Sequence, residues 1–240
     1  MAGTLYTLGL GPGDPELVTV KAARLLREAA TVAYFAKAGR SGHARTIAAG
    51  YLRPEVRELR LEYPFTTEVP LRDPRYAEGM TRFYEDCAAR LAEALRGGDV
   101  ALLCEGDPFF YGSSMYLYDR LRDEFPQEVV PGITAMSGCW TRAGEPIVHG
   151  DDVLTVLPGT LSAERLAERL RGGDAAVVMK VGRNLPKIRA ALEAAGLAER
   201  AIYVERGTQA TERILPLREA GDGPAPYFSL VLVPGRQRPR

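Results

Sequence analysis

Two rhythms of apolar and polar positions alternate along the chain. Short runs rich in aliphatic, β-branched and aromatic residues recur at 4–10 (TLYTLGL), 32–35, 55–63, 100–104 (VALLC), 153–157, 175–181 (AAVVMKV), 201–205 and 227–233. Runs of that length, punctuated by Gly and Pro, predict buried strands. Between them apolar residues fall three and four apart. The spacing predicts a helix over 19–29 and another carrying Met80, Phe83, Tyr84, Cys87, Leu91, Ala94 and Leu95, closed by Gly97-Gly98. In the second half Ser162 caps a helix bearing Ala163, Leu166, Ala167 and Leu170, stopped by Gly172-Gly173. Asn184 is read as the cap of a further helix through Ile188, Leu192 and Ala195 to Gly196. Strand and helix in alternation imply an α/β fold with a parallel sheet covered on both faces. The alternation restarts after Pro131-Gly132, which gives two α/β domains, 1–133 and 134–240, joined near 131–136.

Composition narrows the function classes. With 31 basic and 31 acidic residues the formal charge is zero, which opposes a nucleic-acid or membrane-surface role. A local arginine cluster could still hold an anionic small molecule. The excess of 27 Arg over 4 Lys is read as genomic bias, and the arginine-rich tail GRQRPR as a frayed end. Three cysteines, Cys87, Cys104 and Cys139, show no C-x-x-C spacing, and no apolar run reaches membrane-spanning length. The expectation is a cytoplasmic protein with free thiols. His43 and His149 form no familiar zinc pattern with those cysteines, so no metal site is expected.

Three segments could carry chemistry. Gly9-Leu10-Gly11-Pro12-Gly13-Asp14-Pro15 follows the first strand. It fails the dinucleotide pattern, because Asp14 stands at the last glycine and Pro12 removes an N–H donor. It fits the G-x-G-x-G spacing of Rossmann methyltransferases, but Thr7 stands where those carry an acid. A plain tight turn is the alternative. Cys104-Glu105-Gly106-Asp107-Pro108-Phe109-Phe110-Tyr111-Gly112 lies at the carboxyl end of the fourth strand, where open α/β sheets bind ligands. Its carboxylates, carbonyls and aromatic wall suit an uncharged ring plus a sulfonium or amine better than a phosphate. Here the alternative is a structural turn followed by core aromatics. Val130-Pro131-Gly132-Ile133-Thr134-Ala135-Met136-Ser137 is read as a strand end and turn at the domain junction, whose small residues let a ligand approach the backbone.

In their order and spacing, GLGPGDPELVT, the GDP-aromatic-aromatic-Tyr-Gly loop and VPGIT-A resemble the tetrapyrrole methylases, a class III group of S-adenosylmethionine (SAM) methyltransferases. The resemblance spans nearly the whole chain. It implies two α/β domains with SAM folded in an interdomain cleft, S-adenosylhomocysteine as product, and a homodimer. Finer strings, among them YFAKAGRSGHARTIA, SGCWTRAGEPI, VVMKVGRNLPKIR and VERGT, resemble the subgroup acting on carbon 20 of precorrin-2 in corrin synthesis. Carried across by position, the resemblance implies SAM contacts from Pro12, Glu105, Gly106, Asp107, Phe110, Thr134 and Ala135. In the second domain it implies contacts from Val181, or its neighbour Lys180, and from Gly207. MKVG departs from the Tyr-Met-Gly pattern of uroporphyrinogen enzymes, which leaves the Val181 contact less specific.

Methyl transfer from a sulfonium needs little acid–base help, so orientation in a shielded cleft carries the rate, and no catalytic residue is assigned. Precorrin-2 bears eight carboxylates. Arg40, Arg45, Arg142 and Arg183, in stretches read as loops, are the expected partners, joined by Lys37. Open alternatives are a cobalt-bearing substrate, another ring carbon, or a non-catalytic tetrapyrrole carrier. A nicotinamide oxidoreductase is disfavoured by Asp14 and by Phe35 ending the second strand.

Overall fold

The structure, a computed structural model, describes residues 2–65 and 74–235; the arginines of the C-terminal tail lie outside them. The chain divides into two compact units, Met1–Thr134 and Ala135–Arg240.

In the first unit, β1 (Leu5–Gly9), β2 (Thr31–Lys37), β3 (Arg57–Tyr63), β4 (Val100–Cys104) and β5 (Gln127–Val130) form one sheet. The order is β3-β2-β4-β1-β5 and every pairing is parallel. All of β4 is buried, and its side chains alternate between two cores. Ala101 and Leu103 join the core that includes α1 (Val20–Glu28) and α2 (His43–Ile47). Val100, Leu102 and Cys104 join the other, with α3 (Pro74–Arg96) and α4 (Ser114–Leu121). A strand buried on both faces must be apolar throughout, which is why VALLC reads as an unbroken run. At about 1.5–3 kcal/mol for each fully buried large aliphatic, these two layers supply most of the unit's driving force. Thr19 sets the start of α1, its Oγ1 accepting the Ala22 N–H at 3.2 Å.

The second unit contains α5 (Ala135–Ala143), β6 (Leu154–Pro158), α6 (Ala163–Arg171), β7 (Ala175–Met179), α7 (Leu185–Ala194), β8 (Ile202–Glu205), β9 (Arg213–Pro216) and β10 (Ser229–Val233). Its sheet runs β6-β7-β10-β8-β9. Only β6 and β7, joined through α6, are parallel; β10 is antiparallel to β7 and β8, and β9 to β8. The expected repetition of parallel strand and helix therefore holds for the start of this unit alone. From β8 onward no α-helix intervenes between strands, and without a crossover the strands return antiparallel. One face packs on α6 and α7, the other on α5.

Local differences have local causes. The predicted turn at the junction becomes α5 from Ala135, and α2, α4 and β9 appear where no element was predicted. Arg45 and Arg142, read as loop residues, lie in α2 and α5. Ser162 does cap α6, accepting the Arg165 N–H at 3.4 Å. Asn184 makes no side-chain cap; its Nδ2 donates back to the Lys180 carbonyl at 3.2 Å. Among the described residues no helix is long and apolar enough to cross a membrane, and no group of three or more His, Cys, Asp or Glu is placed to hold a metal.

Candidate functional site

In the first unit the three chemistry-bearing segments leave the carboxyl ends of β4, β1 and β5, which are neighbours in the sheet. Their glycines meet backbone to backbone. A Cβ on Gly9 would lie 2.5 Å from the Gly132 nitrogen and 2.8 Å from the Gly106 oxygen. One on Gly132 would lie 2.8 Å from Gly9 C and Cα, and closer still to the Gly106 oxygen. Gly106 and Gly11 form an isolated bridge, the Gly106 N–H donating to the Gly11 carbonyl at 2.8 Å. Both adopt left-handed φ, 65° for Gly106 and 77° for Gly11, which a side chain would strain. Pro12 is buried beside this bridge. The glycines thus let three loops share one plane, a role that fits neither the dinucleotide nor the Rossmann pattern.

The acidic residues of the second loop act as staples, which sequence reasoning missed. Asp107 Oδ1 accepts the Phe109 N–H at 2.9 Å, and Oδ2 accepts the Gly132 N–H at 3.0 Å, tying the β4 loop to the β5 loop. Glu105 Oε1 accepts the Ala44 N–H at 3.0 Å, supplying the N-terminal acceptor that Gly42 cannot give α2. Asp14 likewise turns inward, accepting the Glu16 N–H at 2.9 Å at the start of a 3₁₀ turn, Pro15–Leu17. The hydrogen bonds to Glu105 and Asp107 come from backbone N–H groups. His43 beside Glu105 is held neutral at pH 7, because burial lowers its pKa more than the carboxylate raises it. The loop continues into Phe110, half-buried, and Tyr111, whose rings stand edge to face at 5.0 Å. Tyr111 is exposed and sits at φ 58°, an uncommon conformation for an aromatic residue. Thr134 ends the unit, half-buried.

Arg40 lies exposed in the turn after β2, and Arg60, not singled out in the sequence, shapes that turn. The Arg60 Nη2 donates to the Lys37 carbonyl at 2.9 Å and the Arg40 carbonyl at 2.7 Å. Arg45 is committed elsewhere. Its Nε and Nη2 donate to Glu58 Oε1 at 2.8 and 2.7 Å, and the Tyr34 hydroxyl donates to Oε2 at 2.8 Å. The Arg45 hydrogen bonds hold the Glu58 carboxyl below its ordinary range, and burial together with Glu58 raises the Tyr34 hydroxyl.

In the second unit, Ala135 opens α5. The Val181 side chain is fully buried in the α6–α7 core, so the residue can offer a ligand only its backbone. Its neighbour Lys180 is exposed, at φ 56°. Gly207 lies buried between Arg206 at φ 48° and Thr208 at φ 70°. Of the four non-glycine residues with positive φ among those described, one is thus in the aromatic loop and three flank Val181 and Gly207. Strained backbone of this kind clusters at functional sites. Arg142 is paired with Glu212 through Nε at 2.9 and 3.0 Å and through Nη2. Arg183 is exposed in the 3₁₀ turn Gly182–Asn184. Arg40 and Arg183 are the arginines of the expected four that lie exposed in turns.

The Tetrapyrrole (Corrin/Porphyrin) Methylases family profile matches residues 4–221. A precorrin-2 C(20)-methyltransferase of Sinorhizobium sp. is 56% identical over 239 residues, 99% of this chain and 98% of that protein. A cobalt-precorrin-2 C(20)-methyltransferase of Salmonella typhimurium is 32% identical, covering 97% of each. A uroporphyrin-III C-methyl transferase of Thermus thermophilus, solved with S-adenyl homocysteine, aligns at TM-score 0.66 with 25% identity, covering 97% of this chain and 92% of its own. The chain belongs to the tetrapyrrole methylase family.

Proposed function

We propose that this chain transfers the methyl group of SAM to carbon 20 of precorrin-2, giving precorrin-3A and S-adenosylhomocysteine. The observation that carries the reading is the 56% identity to the Sinorhizobium enzyme over 99% of the chain. The loops at the ends of β1, β4 and β5 fit a sulfonium donor. Glu105 and Asp107 place two carboxylates there whose hydrogen bonds come from N–H groups rather than cations, a negative field that suits a sulfonium and opposes a phosphate.

The donor brings a methyl group already activated by positive sulfur. The chain's part is to bind and orient. We assign donor contacts to Pro12, Glu105, Gly106, Asp107, Phe110 and Thr134 in the first unit. In the second we assign them to Ala135, Gly207 and the backbone of Val181. Glu105 and Asp107 act by their field and by fixing the loops. Backbone packing at Gly9, Gly106 and Gly132 makes those loops rigid, and rigid placement at near-attack distance is worth about 7–11 kcal/mol of barrier. Phe110 and Tyr111 provide an aromatic wall that excludes water. Arg40 and Arg183 are the arginines we assign to substrate carboxylates, because Arg45 and Arg142 are already paired.

A homodimer, expected from the resemblance, and a cytoplasmic location, expected from the cysteine pattern, are part of this reading, and sedimentation equilibrium tests the assembly. The chemistry is tested by turnover with metal-free and cobalt-loaded precorrin-2, with carbon-13 labelling of the transferred methyl. We expect methylation at carbon 20 of the metal-free substrate. A preference for the cobalt form, methylation elsewhere on the ring, or inactivity on both overturns it.

A further inference from the structure

The second unit contains a linkage that methyl transfer does not by itself account for. The turn Arg206-Gly207-Thr208 after β8 passes twice through left-handed backbone at non-glycine residues, Arg206 at φ 48° and Thr208 at φ 70°. A β-branched threonine is an outlier there and stays so only when its surroundings hold it. Gly207 between them is pressed against α5: an added Cβ would lie 2.6 Å from Cys139 Sγ. Glu212 joins the turn to α5 a second time. Its Oε2 accepts the Thr208 N–H at 2.9 Å, and both its oxygens accept Arg142 Nε, at 2.9 and 3.0 Å. Arg142 Nη2 also reaches Oε1.

The spacing along α5 makes this one device. Ala135, Cys139 and Arg142 stand at i, i+4 and i+7, a single helical face. That face opens on an assigned donor contact, packs on Gly207 one turn later and grips Glu212 in the last turn. Glu212 occupies the Nε–Nη2 edge of Arg142, and a substrate carboxylate that took that edge would displace Glu212 and withdraw the acceptor from Thr208. The Glu212 side chain is only 18% exposed, so water would replace that acceptor poorly.

We infer that Arg142 and Glu212 are positioning residues that hold the Arg206-Gly207-Thr208 turn against α5 in its donor-binding shape, and that Arg142 is not a substrate anchor. The inference rests on the SAM-dependent reading above.

The test is calorimetric titration of the full chain with S-adenosylhomocysteine, together with steady-state kinetics for both substrates. Glu212→Ala removes the acceptor and the ion pair; by the worth of a charged hydrogen bond, product affinity falls about 10- to 100-fold. The KM for SAM rises in parallel, while the tetrapyrrole KM stays within about twofold, less than any lost charged contact would move it. Arg142→Ala leaves the acceptor in place and gives a smaller loss of the same kind. The exchange variant Arg142→Glu/Glu212→Arg restores the ion pair but sets a donor against the Thr208 N–H, so product affinity stays low. If Glu212→Ala does not fold, Glu212→Gln, which keeps one acceptor oxygen, shows an intermediate loss. A raised tetrapyrrole KM in Arg142→Ala with unchanged product affinity overturns the inference. So does full recovery of product affinity in the exchange variant. Wild-type protein that binds no S-adenosylhomocysteine overturns the methyl-transfer reading itself, a distinguishable failure.

Discussion

Gly132→Ala is the sharpest probe of the packed loops. The added methyl carbon would lie 2.8 Å from both Gly9 C and Gly9 Cα, with the Gly106 oxygen closer still. Carbon packs best at about 3.5–4.0 Å, and every crowding atom is backbone, so no rotamer change relieves the clash. Either the β5 loop moves away or the ends of β1 and β4 do. Overpacking costs about 1–3 kcal/mol. A displaced loop also breaks the Gly132 N–H bond to Asp107 Oδ2, now 3.0 Å, and a bond to a charged acceptor is worth about 1.5–3 kcal/mol. The sum is about 2.5–6 kcal/mol, with loss of S-adenosylhomocysteine binding. Urea unfolding followed by circular dichroism measures the stability change. Trp140, the chain's single tryptophan, lies in α5, so its fluorescence reports the second unit separately. Gly172→Ala is the control: it sits at the α6 C-cap at φ −94° with nothing within 4 Å of the added carbon. A loss below about 1 kcal/mol in Gly132→Ala, no greater than surface substitutions give, would refute the packing argument.

Other outcomes follow from the same geometry. Glu58 and Glu212 titrate below the ordinary 4.5, Glu58 through Arg45 and Glu212 through Arg142. The unfolded chain therefore binds more protons just below pH 4.5, so their stabilisation, complete above that pH, is lost as pH falls through the folded values. Arg45→Ala should flatten the acid limb of a melting-temperature profile and cost about 1 kcal/mol or less near neutrality, since the pair is partly exposed; an unchanged limb would count against the pair. The three cysteines are free and buried, with burial the main cause that pushes each thiol up to about 12. Ellman's reagent at about pH 8 should find almost no reactive thiol in the native chain and all three after denaturation, because reactivity follows the thiolate. Rapid native reaction of any one would show its surroundings to be open.

The sequence disclosed those parts of the fold whose cause is local. VALLC and TLYTLGL read as strands because both faces of the first sheet are covered, and Thr19 and Ser162 marked helix starts through bonds three residues away. The α5 segment, AMSGCWTRA, was hidden because small residues blur its periodicity, and β9 is four residues ending in proline. Strand direction in the second sheet leaves no mark in a short apolar run. For the site, the three loops were legible, but their internal bonds were not. Asp107 holds a residue 25 positions away, Glu105 one 61 away and Arg142 one 70 away. A guanidinium free for a substrate and one already paired look alike in a sequence. Apolar character likewise does not show that the Val181 side chain lies in a core, leaving its backbone as the part open to a ligand.

The place of β1 in its sheet has a consequence for the chain during synthesis. This strand is made before β4 and β5 yet lies between them, with Leu5 opposite both Val100 and Gln127. It cannot be enclosed until roughly 125 further residues have been polymerised, about 6–25 s at ordinary elongation rates. Through that interval an apolar strand with two open edges waits for partners. Slower translation of the segment that encodes α3 should lengthen this exposure and increase aggregation of nascent chains, whereas slowing after β5 should not.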